Sequence, residues 1–268
     1  LGGPLSVKSQ VALALQPAPI AINYLSWLSS QGAPYMQFFL TDRTATPPEY
    51  APHHTEKLAY MPWSYQLNSN RIMHPNHHWH PKARYTLLHP PHQPDVPPGG
   101  GFDEGAVLFA NYNQLFKVGR DTFDAWSRIL SAAPNSILSM LNFTGSPAGS
   151  RGLWGAMARR GVSPARLLYS PFCVDKDDFL RLSSGADLFL DNFFYNAGTT
   201  GTDAIYAGVP VLTLPGERTL ARMGASFAVS LGFTPLLART ADDYVGIALS
   251  VAARGGRRAA YLKEQLAK

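Results

Sequence analysis

Residues 187–214 read DLFLDNFFYNAGTTGTDAIYAGVPVLTL. Two apolar runs, Asp187–Asp191 and Val209–Leu214, have strand length and composition, and Thr199–Ala207 between them has helical spacing. Gly198 and Gly201 let the backbone turn closely past a ligand. Thr199 or Thr200 can cap the helix, leaving first-turn N–H groups that attract phosphate. The same spacing also serves an ordinary Gly/Thr helix cap.

Working outward, the alternation continues on both sides. Upstream, Val107–Tyr112, Ser136–Phe143 and Leu167–Ser170 read as strands. Thr122–Ala133, with Phe123, Trp126, Ile129 and Leu130 on one face, reads as a helix, as do the stretch around Leu153, Met157 and Ala158 and the stretch Lys176–Ser183. Downstream come a helix at Leu220–Leu231, a short strand at Pro235–Ala238 and a helix at Asp242–Ala253. Apolar strands alternating with helices predict an α/β fold, a Rossmann-like parallel sheet with helices on both faces. Ligands of such sheets bind beyond the carboxyl ends of the strands. Those ends carry Gln114 and Lys117 after the first strand, Val174 and Lys176 after the third, and the Gly198–Asp203 turn after the fourth. Lys117 can supply positive charge to a diphosphate and Gln114 can hydrogen-bond it, although an isolated lysine is more often a surface residue. Asp203 can accept from ribose hydroxyls. Neither G-x-G-x-x-G nor G-x-x-x-x-G-K-[ST] occurs, which removes support from dinucleotide and P-loop readings.

Two other zones precede this one. Residues 1–70 hold strand-like runs at Ile20–Trp27 and Met36–Thr41 and read as the end of a preceding lobe, too little to stand alone. Residues 71–104 carry several His and Pro and the run Pro97-Pro-Gly-Gly-Gly101, and read as a linker or inserted loop without a core face. His74, His77, His78 and His80 are close in sequence, but a Pro/Gly loop lacks the rigid scaffold and outer shell of a metal site, so no metal is expected. The 105–268 zone is expected to be the ligand-binding lobe.

Composition narrows the classes. The chain has 268 residues, 46% hydrophobic and 15% charged, so a core can be buried. Net charge is +5, a mild preference for anionic ligands, without the basic blocks of a nucleic-acid arm. One cysteine, Cys173, excludes an internal disulfide framework. No apolar run reaches the ~18 residues of a membrane span. The Leu-Gly-Gly-Pro start reads as a cut within a longer protein.

Several stretches carry a family likeness in consistent order. Phe109-Ala-Asn-Tyr-Asn-Gln-Leu-Phe-Lys117 resembles the F-x-N-F-N-Q-L-Y-K segment of the O-GlcNAc transferase / SPINDLY family, and Trp126–Leu138 resembles its W-x-x-I-L-x-x-V-P-N-S-x-L. Leu168–Pro171, Ala186–Asp191, Gly198–Asp203 and Ala207–Glu217 are similar to its later motifs, as are Pro17-Ala-Pro19, Tyr35–Asp42 and Glu56–Pro62 upstream. The resemblance implies the two-lobed GT-B glycosyltransferase architecture and transfer of a sugar, usually GlcNAc from UDP-GlcNAc, to Ser or Thr hydroxyls of proteins. It also implies no metal or other cofactor and a cytoplasmic or nuclear location, and the composition adds the expectation of no nucleic-acid or membrane partner. By position, Gln114, Lys117, Thr199 and Thr200 would bind the donor diphosphate, with Lys117 the catalytic cation. Lys176 and Asp203 would hold the ribose, the backbone at Val174 would read uracil, and Phe179 would stack on it. Three departures stand out: Gly198 and Phe179 replace family histidines and Leu182 replaces an arginine. They leave open a degenerate module that binds nucleotide or protein without catalysis, or a relative using GDP-fucose or UDP-glucose.

Overall fold

The computed structural model describes residues 7–25, 29–75, 81–88, 102, 105–141, 147–170, 173–253 and 257–266. The elements run α1 (Val7–Ala14), β1 (Ile22–Asn23), β2 (Phe38–Asp42), β3 (Lys57–Met61), α2 (Asn70–Met73), α3 (Pro81–Leu88), β4 (Val107–Asn111), α4 (Arg120–Ala132), β5 (Ser136–Leu141), α5 (Pro147–Ala158), β6 (Leu167–Ser170) and α6 (Lys176–Ser183). They continue with β7 (Leu188–Leu190), α7 (Thr199–Tyr206), β8 (Val211–Leu212), α8 (Met223–Ser230), α9 (Ala241–Ala252) and α10 (Arg257–Leu266).

The larger sheet is parallel, in the order β6-β5-β4-β7-β8. Chain order reverses between β4 and β7, the switch point of a doubly wound fold, where two successive crossovers leave in opposite directions and open a crevice. The sheet is apolar on both faces, as the continuous hydrophobic strands require. On one face Phe109, Leu138, Tyr169, Leu188 and Leu190 pack against α4, α5, α9 and α10, with Trp126 and Tyr244 fully buried. On the other, Leu108, Ile137, Leu168 and Phe189 pack against Leu87 and Leu88 of α3, Phe179 and Leu182 of α6, and Ala204 of α7.

The smaller sheet is parallel too, in the order β1-β2-β3. Asp42, at the end of β2, joins it to the rest: its Oδ1 accepts from the amides of Thr44 (2.9 Å) and Ala45 (2.8 Å), and its Oδ2 from Tyr65 N (3.0 Å) and the Ser226 hydroxyl of α8 (2.7 Å). Arg222 spans the same boundary, donating to Thr44 O and Gly216 O at 2.8 Å each. Thr46 and Thr219 share a hydrogen bond of 2.9 Å.

Several expectations need correction. The first predicted strand is ordered as a ladder only at Ile22–Asn23, and the end of its range lies outside the described residues. Lys57–Met61 is a strand that pattern reading missed, because its side chains are half-exposed and do not alternate cleanly. The end of the Ser136–Phe143 run and residues 171–172 also lie outside the described residues, as do His77, His78, His80 and the Gly100–Gly101 stretch. Pro235–Ala238 is not a strand: Thr234–Leu236 forms a 3-10 turn, and a single parallel bridge, Thr213 to Leu237, touches the sheet. Proline there cannot donate to a ladder.

The stretch read as lacking a core face contains α3. Leu87 and Leu88 are buried. Arg84 pairs with Asp187 at 2.9 Å, and Asp187 also accepts from Leu108 N. A helix this short is marginal by itself and forms because docking buries one face. Docking is close: a Cβ at Gly185 would lie 2.7 Å from Arg84 N and 2.8 Å from the Ala83 carbonyl carbon. Since backbone cannot yield as a side-chain tip does, Gly185→Ala is expected to destabilise by ~1–3 kcal/mol, a typical overpacking cost. Urea unfolding measures it, and an unchanged midpoint contradicts the close contact.

Candidate functional site

The crevice at the switch point is built by the chain leaving β4 and the chain leaving β7. After β4, Gln114 is exposed at the start of a 3-10 turn, Leu115–Lys117. The turn points the Lys117 side chain at the chain that leaves β7: Nζ lies 4.0 Å from the Tyr195 ring centroid and 3.5 Å from Asn196 O, two residues before Gly198. Burial pulls the Lys117 pKa below that of a free lysine, and the nearby Asp191 carboxylate opposes that shift.

Asp191 directly follows β7 and is fully buried. Burial pushes its pKa up to about 7, against the lowering effects of the Ala197 amide, the Thr213 hydroxyl, the Asn192 amide and Lys117. Ala197 N (2.8 Å) and Asn192 N (2.9 Å) both donate to Oδ1, so the carboxylate closes the loop between them. Thr213 donates to Oδ2 at 3.0 Å.

Helix α7 begins without a side-chain cap. The Gly201 and Thr202 amides donate back to Gly198 O, and the start of an uncapped helix is the kind of place that attracts an anion. Thr199 is exposed there. Thr200 differs from expectation: its hydroxyl donates to Asn113 Oδ1 at 2.7 Å, leaving its backbone rather than its hydroxyl hydrogen to face a ligand. Gly201 also has another role. A Cβ there would sit 2.8 Å from the Phe227 ring, so this glycine admits α8, while Gly198 has nothing nearer than Gln66 Oε1 at 3.7 Å.

Beside this pair, α6 follows β6. Asp175 caps it, accepting from Asp177 N and Asp178 N. Val174, just before, is 94% exposed. Lys176 and Asp203, both expected to hold ribose, pair with each other, and Asp203 further accepts from Asn70 Nδ2 at 2.8 Å. Phe179 departs most from its expected role as a stacking platform. It is 8% exposed, edge-on to Tyr112 at 5.7 Å, and belongs to the core with Leu182. A phenyl ring and a leucine lack the polar tip that would hold a His or Arg at the surface, so both turn inward. Thus the structure sets Lys117 against the loop that enters Gly198, ties Thr200 to Asn113 beside Gln114, pairs Lys176 with Asp203, leaves Thr199 and Val174 exposed, and withdraws Phe179.

Sequence reasoning missed the buried asparagines Asn70, Asn111, Asn113 and Asn192, and the ring of Tyr195. For Asn111, Asn113 and Asn192 the signal was the clustering of Asn at two strand ends, unusual for polar residues next to apolar strands. Among the described residues, no three His, Cys, Asp or Glu side chains gather as a ligand set. No helix among them is long and apolar enough to cross a membrane.

A lysine and an uncapped helix start thus meet at the switch point of a parallel sheet, with a second parallel sheet tied alongside. The model of glycosyl transferase family 41 matches residues 8–86 and 99–268, and the chain belongs to that family. It is 31% identical over 252 residues to the probable UDP-N-acetylglucosamine–peptide N-acetylglucosaminyltransferase SEC of Arabidopsis thaliana, covering 94% of this chain and 24% of that protein. It is 27% identical over 241 residues to the SPINDLY protein of Petunia hybrida, again 24% of that protein. The chain therefore spans about a quarter of the length of these relatives. A solved mutant of the Thermobaculum terrenum O-GlcNAc transferase superposes with a TM-score of 0.77 at 28% identity, covering 96% of this chain and 45% of that one. Sucrose-phosphate synthase from Thermosynechococcus elongatus, at 13% identity and a TM-score of 0.55, shares the fold.

The raised Asp191 pKa has a stability consequence. The folded state binds this proton more tightly than the unfolded chain, whose carboxylate has its ordinary pKa of 3.8. Stability therefore falls as pH rises from about 4 to about 7, and the full penalty remains above that. Asp191→Asn keeps the shape without the charge. Its unfolding free energy relative to wild type is expected to rise between pH 5 and pH 8; a pH-independent difference would mean that Asp191 titrates normally.

Proposed function

We propose that this chain is the donor-binding part of a glycosyltransferase that moves a sugar, most simply GlcNAc from UDP-GlcNAc, to Ser or Thr hydroxyls of proteins. The observation that carries the reading is the meeting of Lys117 with the loop entering the uncapped start of α7. Breaking the bond between sugar and nucleotide develops negative charge on the departing diphosphate. A protonated lysine and fixed amide donors stabilise that charge without rearranging, which is the most effective form of electrostatic catalysis. In this reading Lys117 acts with no metal, Gln114 hydrogen-bonds the diphosphate, Val174 presents backbone to the base, and the Lys176–Asp203 pair faces the ribose. Relatives named as UDP-N-acetylglucosamine–peptide transferases support the donor and the acceptor class.

A second reading, a module that binds nucleotide or protein without transfer, draws on the burial of Phe179 and Leu182 where the family has polar side chains. Titration with UDP, UDP-GlcNAc and GDP-fucose together with a transfer assay separates the two. Under the enzymatic reading, Lys117→Met lowers transfer to an acceptor protein by about 10²-fold or more, the scale of losing one such electrostatic donor. Near-normal turnover by that variant overturns the role of Lys117.

A further inference from the structure

Behind the crevice lies a network of carboxamides that composition alone does not explain. Asn111, Asn113 and Asn192 are at most 1% exposed. Asn192 is the hub: its Oδ1 accepts from Asn111 Nδ2 and Asn113 Nδ2, both at 2.8 Å, and its Nδ2 donates to the carbonyl of Lys117 at 2.9 Å. Asn111 Nδ2 also reaches Leu190 O at 2.7 Å, and Asn111 Oδ1 accepts from Asn113 N at 3.1 Å. Asn113 completes the path by accepting the Thr200 hydroxyl at 2.7 Å. The Lys117 turn and the first turn of α7 are thus joined by an unbroken chain of side-chain hydrogen bonds, Lys117 O–Asn192–Asn113–Thr200. Those two segments lie on different strands' exits, and among the described residues no backbone hydrogen bond links Lys117 directly to α7.

We propose that Asn113 and Asn192 are positioning residues, which hold the Lys117 turn and the start of α7 at the separation where both grip one diphosphate. Each acts through another group: Asn192 through the Lys117 backbone, Asn113 through Thr200. A displacement of about 1 Å is enough to spoil such convergence, so the network has a task beyond filling the core. Three buried carboxamides would otherwise be a poor choice, since each must find every partner or carry a desolvation cost. The inference rests on the reading of the crevice as a nucleoside-diphosphate site.

Calorimetric titration of the full chain with UDP tests it. Asn113→Ala is expected to raise the Kd about tenfold, the scale of one to two buried hydrogen bonds. In a Lys117→Met background the same substitution is expected to cost about threefold or less, because one of the two groups held in register has gone. Equal factors in both backgrounds mark an independent structural defect and overturn the proposal, as does an unchanged Kd for Asn113→Ala. Should Asn113→Ala not fold, Thr200→Val removes the donated hydrogen at nearly constant volume. It is expected to weaken UDP by about threefold or more, with the same dependence on Lys117 and with recovery in Thr200→Ser; wild-type affinity in Thr200→Val overturns the proposal. A wild-type chain that binds no UDP removes the diphosphate reading and this inference with it. A wild-type chain that binds UDP beside an equally tight Asn113→Ala removes the inference alone.

Discussion

The pairing of β4 with β7 is the constraint from which the site follows. These strands are neighbours in space, although β5 and β6 separate them in sequence, and the connections on their two sides run in opposite directions. Their carboxyl ends therefore diverge and leave a crevice that neither strand could form alone. One exit carries a cation and the other the uncapped start of a helix. The apolar sheet faces below supply the rigidity that keeps both in place.

Polar groups are concentrated where that crevice meets the core. Asp191 is an ionisable group held in a fully buried position, and its elevated pKa records an energetic penalty that apolar packing elsewhere must offset. Its carboxylate closes the loop from Asn192 to Ala197, which leads into α7. Tyr244, on a helix across the sheet, reinforces the same point by donating to Asp191 O at 2.9 Å. Site geometry and fold stability are thus opposed at this residue, a common arrangement where a loop must be fixed for function.

The smaller sheet contributes through contacts rather than through strand pairing. Asp42, Arg222 and the Thr46–Thr219 pair tie it to the segments following β8, and Asn70 reaches Asp203 at the edge of the crevice. Family membership and the GT-B fold agree with this arrangement of two parallel sheets.

Local pattern was enough to determine the class of fold, because strands buried on both faces and helices with one apolar stripe leave different periods in the chain. It also singled out Lys117 and the Gly198–Asp203 turn as candidates, since ligand sites of parallel sheets fall at strand ends. Tertiary structure alone decided the rest. Strand order, and hence which two ends face each other, depends on contacts between distant segments. The α3 helix exists because Leu87 and Leu88 find a surface to cover, and Lys57–Met61 is a strand because β2 offers it an edge. Phe179 and Leu182 turned inward, Lys176 and Asp203 found each other, and Thr200 gave its hydrogen to Asn113. Such outcomes are set by competition among all available partners in three dimensions, which no local window of sequence contains.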